Sequence, residues 1–577
     1  MGRVTRRLRV PDAPEGTRSE LFLLNHDLQP VPKEKRAWSA RNFAMFWIAD
    51  SVNINSMQIA SSAMVAGLTW WEALIATALG YSITACFIVM SARLGAVYHV
   101  PFPVIVRSSF GLFGAIWPVI NRAVMACVWQ GVQAWIGGTC MGVMMRAIIP
   151  GYNNIPNKLS PSVGIESKDL LSFWLFGLIN LLCVLPSPQK LRHIFTVKAV
   201  VAPIALVAFL AWTLADAGGL GQVIRQPATI SGSTRGWAFV GAVFACISNN
   251  ATLITNQADF ARLSSKKSDT VLPQLLTMPL GFTITSLFGV LIAAGGQALT
   301  GTLYWDPIGL LNARLDPNPY DSKTRAACFF LGASFVIVQI GLNVAANSLS
   351  AGSDFTALLP RYINIRRGSV ICWAVGMAYC PWFILSSSSS FTTYLSAYSL
   401  FLSSIIGVMM ADYYVLRRGW IDVPALFRAH NATGDGKSQF YYNFGFNWRA
   451  YAGYVAGIAM SVTGFAGVLG ANVSIVAERI YTLAFPIGFL VSGIVYLACN
   501  HFSPVPETVN LKRDRKTWLE PRGPTGWEDS YWTGSEPAAT AAIDEENQSS
   551  QISSKDEKTS AEGATMTNKP AVATVDY

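Results

Sequence analysis

Several polar side chains sit where the chain is otherwise apolar, and their types suit the grip of a flat polar ring. Trp129 and Gln133, in Trp129-Gln130-Gly131-Val132-Gln133, stand four residues apart and share one helix face. An indole stacks on a planar heterocycle, and a carboxamide pairs with alternating N–H and C=O groups. Gln339, Asn343 and Asn347 form a second carboxamide set, the last two again at i and i+4. Ala49-Asp50-Ser51-Val52-Asn53-Ile54-Asn55-Ser56-Met57-Gln58 interrupts the apolar stretch from Phe43 to Leu68. Cys246-Ile247-Ser248-Asn249-Asn250-Ala251-Thr252 interrupts another. Each pattern alone has a plainer reading: Trp129 as packing or an interfacial anchor, the carboxamides as glue between helices.

An ionisable group near the middle of a bilayer costs at least ~2.5 kcal/mol, so it marks a polar cavity or a partner. Asp50 lies in the first interruption and Asp354 follows the carboxamide set. A carrier driven by a proton gradient needs a titrating group, and Asp50, then Asp354, are best placed for proton coupling. Asp259 and Asp412 read as end-of-helix residues that pair with loop cations such as Arg262 or Arg417.

The elements that position these residues are apolar runs. The 577 residues are 52% hydrophobic and 13% charged, with mean hydropathy +0.36. A soluble chain of that length carries far more charge. Many runs approach the ~20 residues that span a bilayer. The reading is an all-α polytopic membrane protein with about twelve spans: 43–67, 72–92, 114–145, 170–186, 195–215, 236–257, 274–298, 326–350, 369–386, 390–415, 450–471 and 479–500. Segment three is long, and Pro101-Phe102-Pro103 before it predicts a bent entry. The two interruptions fall in segments one and six, five apart. Interrupted helices in corresponding positions of two halves point to an inverted-repeat transporter with a midplane site.

Lys and Arg concentrate in alternate loops: Arg93 and Arg107; Lys190 and Arg192; Arg262, Lys266 and Lys267; Arg361, Arg366 and Arg367; Arg417, Arg418 and Arg428. The first residues add Arg3, Arg6, Arg7 and Arg9, while Arg314, Lys323 and Arg325 are exceptions on the other side. This positive-inside pattern puts both termini in the cytosol and accounts for the net charge of +10 without nucleic acid. Residues 1–40 read as a cytosolic tail, 41–500 as the transmembrane domain, and 501–577 as a cytosolic, largely disordered tail. The start has no cleavable signal, so the first span acts as the insertion signal. Lys555, Lys558 and Lys569 are candidate ubiquitin acceptors, with a plain solvated tail as the alternative.

The nine Cys show no CxxC spacing, and His numbers five. No nucleophile–base set or metal-ligand cluster is visible, so neither an enzyme nor a cofactor is called for, and paired interrupted helices argue against an open pore.

The residues Phe46-Trp47-Ile48-Ala49-Asp50-Ser51-Val52-Asn53-Ile54-Asn55, then Trp129 through Gly138, Asn256-Gln257-Ala258-Asp259-Phe260-Ala261-Arg262, and Asn343 through Gly352 resemble, in that order, the nucleobase–cation symporter-1 family. The nearest look is to its fungal uracil, allantoin and uridine permease branch, over about residues 20–510. The resemblance implies a LeuT-like five-plus-five inverted repeat with two extra C-terminal helices and alternating access. In the family's bacterial hydantoin carrier a Trp and a Gln on helix three and an Asn on helix eight hold the substrate, which falls on Trp129, Gln133 and Asn347. That carrier has a second stacking Trp on helix six, where this chain has Asn250, preceded by Asn249. Its sodium is bound by helix-one carbonyls, here Ala49 and Val52, and by two helix-eight hydroxyls, here replaced by Gly341 and Leu342. A hard cation needs several oxygens. The resemblance therefore implies proton coupling, with segment ten near Thr393 to Leu395 as outer gate.

Together these readings predict a plasma-membrane proton symporter for a uracil-like or allantoin-like ring, among uracil, allantoin, uric acid and uridine. Its substrate set is Trp129, Gln133, Asn249, Asn250, Asn347, Asn53, Asn55 and Ser56. The alternative is a transporter-like nutrient sensor that binds without net transport.

Overall fold

A run of Leu, Ile, Val and Ala in hydrocarbon can satisfy its backbone only by coiling into a helix or closing a barrel. The computed structural model takes the first route: the described residues hold helices and three isolated β-bridges, with no strand. Those residues are 10, 20–185, 192–220, 225–430, 437–505 and 518–521. Arg3, Arg6, Arg7, Arg9, Lys190, the Arg192 side chain and the tail with Lys555, Lys558 and Lys569 lie outside them. The chain divides into Met1–Glu520 and Pro521–Tyr577. The fold below is that of the first unit; of the second, only Pro521 is described.

The helices are α1 Ala40–Ser51, α2 Ile54–Val65, α3 Trp70–Tyr98, α4 Ile116–Ile148, α5 Ser167–Val184, α6 Arg192–Asp216, α7 Gly232–Asn249, α8 Ala251–Asn256 and α9 Leu272–Thr300. There follow α10 Pro307–Leu315, α11 Ser322–Leu342, α12 Leu349–Leu358, α13 Ile365–Ala378, α14 Ser388–Met410, α15 Trp448–Ala459, α16 Val462–Val468, α17 Ile475–Thr482 and α18 Ala484–Phe502. Among the described residues seven stretches are long and apolar enough to cross a bilayer, and α15 with α16, bent by 46°, makes an eighth if the pair is one span. These answer to segments two, four, five, seven, eight, ten, eleven and twelve of the sequence reading.

Segments one, three, six and nine do not pass that test, for reasons visible in their residues. Segment one is broken into α1 and α2 at Val52-Asn53, and segment six into α7 and α8 at Asn250. Segment nine, α13, has only 14 residues. Segment three, α4, has 33 residues and carries Arg122, Gln130, Gln133 and Arg146. At 1.5 Å per residue it is about 50 Å long, well beyond the ~30 Å hydrocarbon core. The predicted bent entry is two short helical turns, Phe102–Ile105 and Arg107–Phe110.

Three packed groups result. α9 lies against α1, α2 and α3, and α3 against α7. α4 lies against α5, α11, α12 and α13. α14 and α15 pack on α18. Between α11 and α12, Asn343–Ser348 is a π-helical turn, a form that often marks functional sites. A second, Ala411–Leu416, ends α14.

Candidate functional site

A helix that stops inside a membrane leaves N–H groups without partners, and the first break meets that cost locally. Asn53 is the N-cap of α2: its Oδ1 accepts from Ser56 N at 2.8 Å and from Ser56 Oγ at 3.1 Å. Its Nδ2 donates to the Asp50 carbonyl at 2.5 Å, tying the cap back to the end of α1. Asn53 and Ser56 thus hold the shape of the break, a role the sequence reading had not separated from lining the site.

The two breaks meet. Asn55 Nδ2 donates to Asn249 Oδ1 at 2.8 Å, across 194 residues of sequence. Asn249 Nδ2 donates in turn to the Tyr81 hydroxyl at 3.4 Å. Beside them Tyr398 donates its hydroxyl to the Ser248 carbonyl at 2.6 Å, and Ser248 Oγ bonds Ser399 Oγ at 3.0 Å. Tyr398 and its neighbour Tyr394 flank the Trp129 indole edge-on, with ring centroids 6.1 and 6.2 Å away. Trp129 is therefore held between α4 and α14 by two tyrosines that sequence reasoning missed. Tyr394 falls within the stretch expected to form an outer gate.

The carboxamides form a wall of two hydrogen-bonded sets. Gln339 Nε2 donates to Gln133 Oε1 at 2.9 Å. Asn347 Nδ2 donates to Asn343 Oδ1 at 2.9 Å, and Asn343 Nδ2 to the Gln130 carbonyl at 3.1 Å. Behind the wall Gln130 takes a bond from Ser348 at 2.8 Å and gives one to Asn180 at 2.9 Å. Asn250 Nδ2, Gln339 Oε1, Asn55 Oδ1 and the Tyr394 hydroxyl are buried with no partner among the described residues. Buried polar atoms are normally satisfied, so atoms left free on the residues of these breaks and carboxamide pairs are what a polar ligand can complete. Trp129, Gln133, Asn250 and Asn347 are all buried.

The acids separate into different surroundings. Asp50 is buried at the end of α1 and acts through its charge on Lys198 of α6, also buried, without a direct ion pair between the two among the described residues. Lys198, a lone cation in an apolar run, was open to sequence reading and was overlooked. Asp354 lies seven residues past Asn347, and its partner Arg122 seven before Trp129, about 10 Å along each helix. Their ion pair is fully buried, at 1% and 0% side-chain exposure, so Asp354 sits below the carboxamide wall. Asp412 pairs with Arg417 at 2.9 Å and accepts from the Tyr496 hydroxyl at 2.7 Å. Asp259 differs from expectation: its Oδ1 accepts from Phe102 N at 2.7 Å, while Arg262 donates to backbone carbonyls, that of Asp259 at 3.3 Å and that of Asp27 at 2.9 Å. The bent entry at Phe102 supplies a backbone donor that the carboxylate takes in place of the guanidinium.

Residues 30–488 match a family model described as permeases for cytosine and purines, uracil, thiamine and allantoin. The chain is 43% identical to the allantoin permease of Saccharomyces cerevisiae, over 87% of this chain and 79% of that one. It is 40% identical to the uracil permease of the same yeast, over 86% and 79%. Its fold matches the solved structure of Mhp1, a nucleobase-cation-symport-1 family transporter in a closed conformation with bromovinylhydantoin bound, with a TM-score of 0.67 at 20% identity over 83% of this chain and 96% of that one. The chain is a multi-pass membrane permease and belongs to the nucleobase–cation symporter-1 family.

Proposed function

We propose that this permease imports a uracil-like or allantoin-like ring across the plasma membrane by proton symport, with both termini in the cytosol. The observation that carries the reading is the Asn55–Asn249 bond joining the two breaks, with the Trp129 plate and the carboxamide wall beside it. Trp129 stacks on the ring. Gln133, Asn250 and Asn347 pair with its N–H and C=O edges. Asn249, Asn55, Asn53 and Ser56 shape the wall at the breaks. The yeast relatives named for allantoin and uracil support a ring of that size and polarity.

Asp50 links protonation to the conformational equilibrium, with Asp354 as the second coupling group. Gly341 and Leu342 offer no side-chain oxygen, which favours the proton over sodium. Substrate and proton together drive import by binding the inward-moving state better than the outward-open one.

Uptake of labelled uracil and allantoin, with uric acid and uridine as competitors, tests the reading in cells lacking their own carriers. Gln133→Ala and Asn347→Ala each weaken apparent affinity about tenfold, as loss of a ~1.4 kcal/mol contact does. Unchanged affinity for every transported compound would show the site to be misplaced. Asp50→Asn flattens the pH dependence of uptake; dependence on external sodium with none on pH sinks the proton reading. Accumulation against a gradient separates carriage from sensing.

A further inference from the structure

Beyond the last span, Trp518-Leu519-Glu520 is seated against two of the three helix groups at once. Glu520 is 6% exposed. Its two oxygens accept from Arg93 Nε and Nη2, each at 2.9 Å, in a bidentate pair at the end of α3. Lys267 Nζ, in the connection before α9, donates to Oε1 at 3.1 Å. Both cations belong to the group that carries the first break.

The same segment grips the end of α14. The Tyr413 hydroxyl, on the second π-helical turn, donates to Glu520 Oε2 at 3.3 Å. Leu519 N donates to the Arg418 carbonyl at 2.9 Å. The Trp518 indole stacks on Tyr414, with centroids 5.9 Å apart and planes at 28°, and donates its N–H to Glu520 at 3.2 Å. A Cβ at Gly419 would lie 2.7 Å from that indole, so a residue with no side chain lets the backbone pass beneath it. α3 and α14 also meet without the segment, through Tyr414 to the Met90 carbonyl at 3.0 Å and through Tyr98 to the Gly419 carbonyl. Those bonds are neutral. Glu520 adds the charge-assisted, bidentate one, roughly twice as strong.

We propose that Trp518-Leu519-Glu520 is a strap that ties the basic-face end of α3 to that of α14, so that a transition separating these ends must first release it. This rests on the alternating-access reading above, in which helix groups move relative to one another. The strap biases the permease toward states closed on that face. A bistable interface is shifted by whichever contacts exist in only one of its states.

Hydrogen–deuterium exchange on the purified full chain in nanodiscs tests this without any substrate. E520Q keeps the shape and removes the charge. It raises exchange severalfold in peptides covering 86–98 and 411–421, while peptides of α11 to α13 stay at the wild-type rate. E520R raises it further, and E520R combined with R93E and K267E brings it back toward wild type. Unchanged exchange in both peptides with E520Q overturns the strap, and so does a uniform rise across all helices. A wrong ring or coupling ion would fail in uptake and leave this readout intact.

Discussion

Asn55 of the first break donates directly to Asn249 of the second, at 2.8 Å, and so fastens two helices that each stop inside the membrane. Neither break alone explains its residues. Together they make one polar surface from two ends of the chain.

That bond predicts coupling. Asn55→Ala and Asn249→Ala should each cost about 0.5–1.5 kcal/mol, the net value of a hydrogen bond, seen as a severalfold loss of apparent affinity in uptake. The double substitution should be little worse than the worse single one, because both remove the same contact. Fully additive losses would mean that the two residues act independently.

The Arg122–Asp354 pair predicts a different pattern. Both side chains are fully buried, so deleting one leaves a buried charge without its ion-pair partner. Arg122→Met or Asp354→Leu alone should cost about 3–5 kcal/mol and lower the thermal unfolding midpoint of the detergent-solubilised protein. The pair replaced together should unfold closer to wild type than either single variant. Two singles that unfold like wild type would show that the pair carries no structural weight.

Much of the fold was legible because hydrocarbon tolerates so few alternatives. The interruptions at Asp50–Gln58 and Ser248–Thr252 break the apolar pattern where polarity is costly, so they stood out. Tyr394 and Tyr398 did not. An aromatic residue in an apolar run looks like packing until its hydroxyl is seen on the Ser248 carbonyl. Arg122 was invisible as the partner of Asp354 for another reason: 232 residues separate them, and no periodicity reports which helices meet. Asn53 shows a subtler limit. Its type marks equally a ligand contact and a helix cap, and only its bond to Ser56 N shows the cap.

The Trp129–Gln133 motif owes its position to a glycine. A Cβ on Gly131 would lie 2.5 Å from the Gly376 carbonyl, because α4 and α13 touch backbone to backbone there. Gly131→Ala should push the helices apart and move Trp129 and Gln133 with α4. Overpacking of this kind typically costs 1–3 kcal/mol. Uptake affinity should fall while Gly142→Ala, whose Cβ would meet just the Ser172 side chain, with Oγ nearest at 3.2 Å, stays near wild type. Equal behaviour of the two variants would refute the close-contact argument.

The strap carries a pH signature of its own. Burial pushes the Glu520 carboxyl up, but the hydrogen bonds and charges of Arg93 and Lys267 outweigh it and hold the group below the usual glutamate range. A carboxyl depressed in the folded state contributes stability that is fully present above its unfolded value, about 4.3, and is lost as pH falls through the folded one. The difference in unfolding midpoint between wild type and Glu520→Gln should therefore hold from about pH 8 to pH 5. It should shrink only below about pH 4, where the wild-type carboxyl also loses its charge. A difference that fades between pH 8 and 6 would mean that another group, with an ordinary or raised value, governs the contact.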